Sequence, residues 1–156
     1  MATNNYNINM YQGQSFFLDI DYLDDNGFPV NMRDTSAPVP PTIPRYTAHM
    51  QVRRSPFTDK LILDLSSDRW PSGVTGGGTG AQFGGNTDNK GVVGIGGISL
   101  NYHGVSGAIR LEIDHTTMGY VPAGDHFYDL NVLDRQTNYM DKVITGTVEV
   151  QPEVTR

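Results

Sequence analysis

Apolar and polar residues alternate with a period of two in several short stretches of the chain, the spacing of a strand with one buried and one solvated face. In segment 15–23, Phe16, Leu18, Ile20 and Tyr22 fall on one side and Ser15, Phe17, Asp19 and Asp21 on the other. This predicts a strand with aspartates toward solvent. Asp24-Asp25-Asn26-Gly27 closes it with turn chemistry, the glycine permitting positive φ. A shorter strand is expected around Tyr6 to Tyr11. Further on, Tyr46, Ala48, Met50 and Val52 alternate with Thr47, His49, Gln51 and Arg53 until Pro56 stops the run, and Leu61, Leu63 and Leu65 alternate with Lys60, Ile62 and Asp64.

Two segments break the pattern. Residues 35–45, TSAPVPPTIPR, hold four prolines, which remove ladder donors and favour an extended loop crossing between sheets. Eleven glycines fall between Gly73 and Gly97, so residues 67–97 are expected to form a long loop or arm rather than regular structure. Strands resume at Ile98 to Tyr102 and at Ala108 to Asp114, joined by the HGVSG turn. His115 to Val121 is read as one helical turn, followed by a strand carrying Tyr128, Leu130 and Val132. The last strand, Lys142 to Val150, places Ile144, Val148 and Val150 on one face and Thr145, Thr147 and Glu149 on the other.

About seven to eight short strands with turn signals at their ends predict an all-β fold, a single antiparallel immunoglobulin-like β-sandwich over residues 1–156 with a long Gly-rich loop. A small barrel is the alternative. Tyr128, near the start of its strand, fits the tyrosine that such sandwiches bond back to backbone at a corner.

Composition narrows the function classes. The chain has no cysteine, which removes disulfides, thiolate metal sites and a cysteine nucleophile. The formal net charge of −6 and the absence of a basic run longer than Arg53-Arg54 argue against nucleic acid as a partner. No segment has the pattern of a signal peptide or a membrane span.

Residue spacing decides among several candidate chemistries. Asp19, Asp21, Asp24, Asp25 and Asn26 cluster before Gly27, but they do not follow the order of an EF-hand loop, and solvent face plus turn is the simpler reading. His49, His103, His115 and His126 have no metal-ligand spacing, and His126 lies in phase with Tyr128 and Leu130 as a packed, hydrogen-bonded position. No G-x-S-x-G elbow and no GK[ST] loop is present, so neither enzyme activity nor a cofactor is expected. The partner-binding candidates are Trp70 and Phe83, aromatics flanking a polar arm, together with Gly76, Gly77, Gly78, Gly84 and Gly85, which allow close backbone approach.

The stretches QGQSFFLDIDYLDDNGFPV, YTAHMQVRRSPFTDK, GAIRLEIDHTT, PAGDHFYDL and GTVEVQPEVTR resemble, in that order, a family of small virion proteins of tailed bacteriophages and prophages. The resemblance spans nearly the whole chain except residues 67–95. It implies an immunoglobulin-like sandwich with a structural role in the phage particle, in the tail or baseplate region, with capsid decoration as the other location. It also implies other virion proteins as partners, with a homo-oligomer as a further option, and the virion as the site of residence after synthesis in the host cytoplasm. The Gly-rich insert is longer than the family's connection, the Pro-rich segment is an addition, and His126 stands where the family has an aromatic. A carbohydrate-binding adhesion module is the alternative of a different class, with Tyr11, Tyr22, Trp70, Tyr102, Tyr120 and Tyr139 as its candidate platform.

Overall fold

The computed structural model describes residues 4–32, 45–57, 61–67, 81–83 and 97–154. They form two sheets packed face to face, an all-β sandwich. In chain order the elements are β1 (Asn4–Asn5), β2 (Ile8–Tyr11), β3 (Phe16–Asp21), β4 (Tyr46–Arg53), β5 (Leu61–Ser66), β6 (Ala81–Phe83), β7 (Ile98–Leu100), β8 (Ala108–Ile113), the short helix α1 (His115–Met118), β9 (Gly124–Asp134) and β10 (Tyr139–Gln151). The large sheet runs β10-β9-β4-β5-β6, with β1 and β2 both on the outer edge of β10. The small sheet runs β3-β8-β7. Two strands, β5 and β6, extend the large sheet beyond β4, and the three-stranded sheet packs against it. No helix among the described residues is long and apolar enough to cross a membrane.

The alternation seen in the sequence sets which side chains meet between the sheets. Met50 and Val52 of β4, Leu63 and Leu65 of β5, Leu130 and Val132 of β9 and Val148 and Val150 of β10 face Ile98, Ile109, Leu111 and Ile113 of the small sheet in one continuous buried cluster. Each fully buried aliphatic side chain contributes about 1.5–3 kcal/mol. With no cysteine, no disulfide ties the sheets. Leu130, two residues after Tyr128, is fully buried in the cluster between the sheets.

The structure departs from the sequence reading in four places. Among the described residues ten strands are present rather than seven or eight, because the N-terminal segment forms two short strands and β6 lies inside the glycine-rich segment expected to be an arm. The sandwich is not wholly antiparallel: β1 and β2 run parallel to β10, with Ile8 opposite Val148 and Met10 opposite Val150. In β10 a bulge between Lys142 and Ile144 inserts one residue, so Val143 and Ile144 are both buried and the simple alternation resets. The Tyr128 hydroxyl does bond to backbone, but it donates to the carbonyl oxygen of Tyr6 at 2.6 Å, in the N-terminal segment rather than a few residues upstream. The Pro-rich loop 35–45 lies outside the described residues except for Arg45. The Gly-rich segment 67–97 does so except for Ser67, β6 and Gly97.

The first and last strands are therefore stitched together at one point. The Tyr6 amide donates to Thr145 O at 2.9 Å, the Tyr128 hydroxyl reaches the Tyr6 carbonyl, and the Asn7 side-chain oxygen accepts from the Thr147 amide and hydroxyl. Gly146 sits at this crossing because a Cβ there would fall on the Tyr6 carbonyl oxygen, which is backbone and has little freedom to yield. At the other end of β9, the Arg45 guanidinium forks onto Asp134 at 2.9 and 2.8 Å and holds that carboxyl below the usual carboxylate range.

Gly146→Ala is expected to cost about 1–3 kcal/mol in urea unfolding, with amide exchange accelerating first in residues 4–11. A second expectation concerns alkaline pH. Burial, with the Asp141 carboxylate beside it, raises the Tyr22 hydroxyl above its ordinary value, and burial with Tyr6 nearby raises Tyr128. Groups raised on folding stabilise fully below the unfolded value, near pH 10, and lose that contribution as pH climbs above it. Stability should therefore fall steeply beyond about pH 10, and the slope should shrink in Tyr22→Phe and Tyr128→Phe, as read by melting temperature against pH.

Candidate functional site

Of the residues singled out for partner binding, Trp70, Gly76, Gly77, Gly78, Gly84 and Gly85 lie outside the described residues. Phe83 is the last residue of β6, opposite Leu63 of β5, on the outermost strand of the large sheet. The strand places it at a sheet edge rather than in a loop.

Two of the stretches that carry the family resemblance, and the residue just before a third, meet at Gln12. Gln12, in the turn after β2, donates from its side-chain amide to Val121 O at 3.0 Å, and its side-chain oxygen accepts from the Glu153 amide at 3.1 Å. Its own backbone amide donates to Gln151 O at 2.9 Å. One glutamine thus joins the Gln12-Gly13 pair, the approach to Pro122-Ala123-Gly124 and the Pro152-Glu153-Val154 ending. Pro122 is gripped from the other side by His126, whose Nε2 lies 2.8 Å from the Pro122 carbonyl. A carbonyl can only accept, so Nε2 carries the proton. His126 is fully buried, as its phase with Tyr128 predicts, and its polar edge serves the corner.

The outer face of the large sheet carries a shallow open groove of about 280 Å³ between β4, β9 and β10, lined by Gln51, Arg53, Pro56, Phe127, Asp129 and Lys142 among others. Its polar side chains bond to one another. Lys142 lies 3.3 Å from Asp129, and Arg53 donates to the Gln51 side-chain oxygen at 3.0 Å. Farther along the same face, His49 pairs with Asp64 across the β4-β5 ladder, and both are largely buried. At 7% exposure His49 is a packed cross-strand tie, not a group presented to a ligand.

The outer face of the small sheet is different in character. The Arg110 guanidinium lies between the rings of Phe17 and Tyr102, 4.5 and 4.6 Å from their centroids, and Tyr102 in turn packs on His103 at 4.1 Å. Cation–π contacts at such exposed sites contribute about 0.5–1 kcal/mol each. Asp19 lies 3.8 Å from Arg110, while Asp19, Asp21 and Glu112 all stand exposed.

The aspartates before Gly27 are divided between two tasks. Asp19 and Asp21 form the solvent face of β3, and the Asp24 carboxylate accepts from the amides of Asn26 and Phe28, shaping a turn in which Gly27 takes φ 82°. Among the described residues no three histidine or carboxylate side chains are grouped so as to hold a metal ion.

The aromatic platform weighed for glycans is not assembled by its described members. Tyr22 is buried and donates to Asp141 at 3.0 Å, which corrects its place among surface candidates. Tyr11 and Tyr120 are exposed at the Gln12 corner, whereas Tyr139 begins β10 and lies about 40 Å of strand away from Gln151, the partner of Tyr11. Tyr102 is engaged with Arg110.

Sequence reasoning missed Gln12, since a polar residue in a turn carries no signal for partners more than a hundred positions away. It also missed the Arg110 stack, whose outward phase in Ala108–Ile113 and position opposite Asp19 were nonetheless readable. No protein-family model matches the chain, and no curated protein matches it.

Gln12→Ala should lower unfolding free energy by about 1–2 kcal/mol, because Val121 O and the Glu153 amide both lose their partner in a half-buried corner. Urea unfolding reads the loss, and faster exchange at the Glu153 amide localises it.

Proposed function

We propose that the protein is a non-enzymatic structural component of a bacteriophage virion, docking onto other virion proteins in the tail or baseplate region. The observation that carries this reading is the Gln12 corner. Two of the motif stretches that resemble the phage family, far apart in the chain, and the residue just before a third meet through one side chain and its backbone. Residues that stand in such motifs for architecture, rather than for chemistry, fit a protein whose work is to hold a shape and present surfaces.

The immunoglobulin-like sandwich supports the same reading, since its sheet edges and end loops are surfaces on which other chains assemble. The conspicuous polar side chains are spent internally: His49 on Asp64, Arg45 on Asp134, Lys142 on Asp129 and His126 on Pro122. Capsid decoration differs from the tail reading in location, not in kind.

Cryo-electron microscopy of the particle whose genome encodes the chain is the deciding experiment. A two-sheet sandwich of this topology seated in the tail or baseplate is the expected result. The same density on the capsid would move the location, and a particle lacking the protein would overturn the virion reading.

A further inference from the structure

The two edges of the small sheet are finished differently. On β7, the inward residues Ile98 and Leu100 are 0% and 4% exposed, and on the central strand β8, Ile109, Leu111 and Ile113 are buried to the same degree. On β3 the inward row of Phe16, Leu18 and Ile20 packs against the core but is only half-buried. These residues face the same interior as their neighbours on β8, directly opposite them in the ladder: Phe16 by Ile113, Leu18 by Leu111, Ile20 by Ile109. β7 too has no further strand beside it among the described residues, yet its inward row is covered, so what sets β3 apart is an unpaired outer side together with an inner row left half-buried. The N-terminal strands, which in an immunoglobulin-like fold can border this strand, lie instead along β10.

The outward row of the same strand is Phe17, Asp19 and Asp21, all exposed. β3 therefore offers an edge with two unlike faces: an apolar row short of cover on the inside and an acidic row with one aromatic ring on the outside. Whatever strand completes it must alternate in the same way, apolar residues entering beside Phe16, Leu18 and Ile20 and cations standing beside Asp19 and Asp21. A second copy joined through its own β3 is disfavoured, because antiparallel pairing of two such rows sets aspartates against aspartates.

We propose that the edge of β3, unpaired among the described residues, is a strand-addition site for an extended segment of a partner protein in which basic and apolar residues alternate. The added strand closes the small sheet, buries the inner row and pairs its cations with Asp19 and Asp21, while Phe17 offers its ring face to a further cation. This deepens the docking reading and rests on it for the existence of a partner, since it states the chemistry of one surface through which the protein is held.

The test uses the full chain and a synthetic peptide in which lysine alternates with valine over about eight positions, the span of a typical strand. Binding is followed by fluorescence polarisation and amide exchange. The expected result is saturable binding that weakens with salt, with new protection confined to the amides of residues 16–21. A peptide of the same composition with its lysines in one block, and one with glutamate in place of lysine, should bind at least about tenfold more weakly. The Asp19→Lys, Asp21→Lys double variant, changed only at exposed positions, should lose about tenfold in affinity for the alternating peptide, whereas Glu149→Lys on the other sheet should not.

Equal binding of the blocked peptide, or protection elsewhere than β3, would overturn the proposal. So would protection of 16–21 without peptide that vanishes on dilution, which would give the edge to a second copy of the chain. Failure of the peptide test leaves the virion reading standing, and absence of the protein from the particle leaves the peptide result intact, so the two are told apart.

Discussion

The parallel seating of residues 4–11 on β10 is the constraint from which the rest of this architecture follows. A chain entering a two-sheet sandwich can place its first strand on either sheet. Here Ile8 and Met10 insert beside Val148 and Val150, and the choice is fixed at the Tyr6 carbonyl, which takes a hydrogen bond from the buried Tyr128 hydroxyl and leaves room for nothing but a hydrogen on Gly146. That contact does for the large sheet what a disulfide does elsewhere: it ties a terminal segment to the central strand β9. The consequence appears on the opposite sheet, where β3 is left at a margin with its inner row half covered.

The alternation in the sequence was sufficient wherever a strand has one face on the core and one in water. Segments 16–21, 108–113 and most of 124–134 are placed by it, with inward residues as expected, and so is 46–53, except that Thr47 and His49 on its predicted solvent side are buried as well. It was insufficient where partners set the geometry. The bulge after Lys142 arises from register against Asn131 and Leu130 of β9, so the burial of Asp141, Val143 and Ile144 has no local signature. The three residues of β6 have no period of their own and become a strand only by pairing with Leu63 to Leu65. The spacing of Ile8 and Met10 shows which side is buried but says nothing of the neighbour or its direction.

The same distinction separates the legible from the illegible parts of the candidate surfaces. Asp19 and Asp21 could be assigned to a solvent face from their phase alone. That their strand lies at an incomplete edge depends on where residues 4–11 went, which is a property of the whole topology. Gln12 is the extreme case, an unremarkable turn residue whose two side-chain bonds span 109 and 141 positions of sequence. Only the geometry shows its role.

The pairing of the first strands with the last also sets a schedule for biosynthesis. The partner of Asn7 lies 140 residues downstream, and at about 5–20 residues per second the ribosome needs roughly seven to thirty seconds to cover that distance. Throughout that interval Ile8 and Met10 have no seat, and β9 emerges before the strand that will flank it. The sandwich therefore closes as a late event, after β10 has left the exit tunnel. Until then the nascent chain presents two unseated apolar side chains, Ile8 and Met10, the kind of surface that cellular holdases recognise.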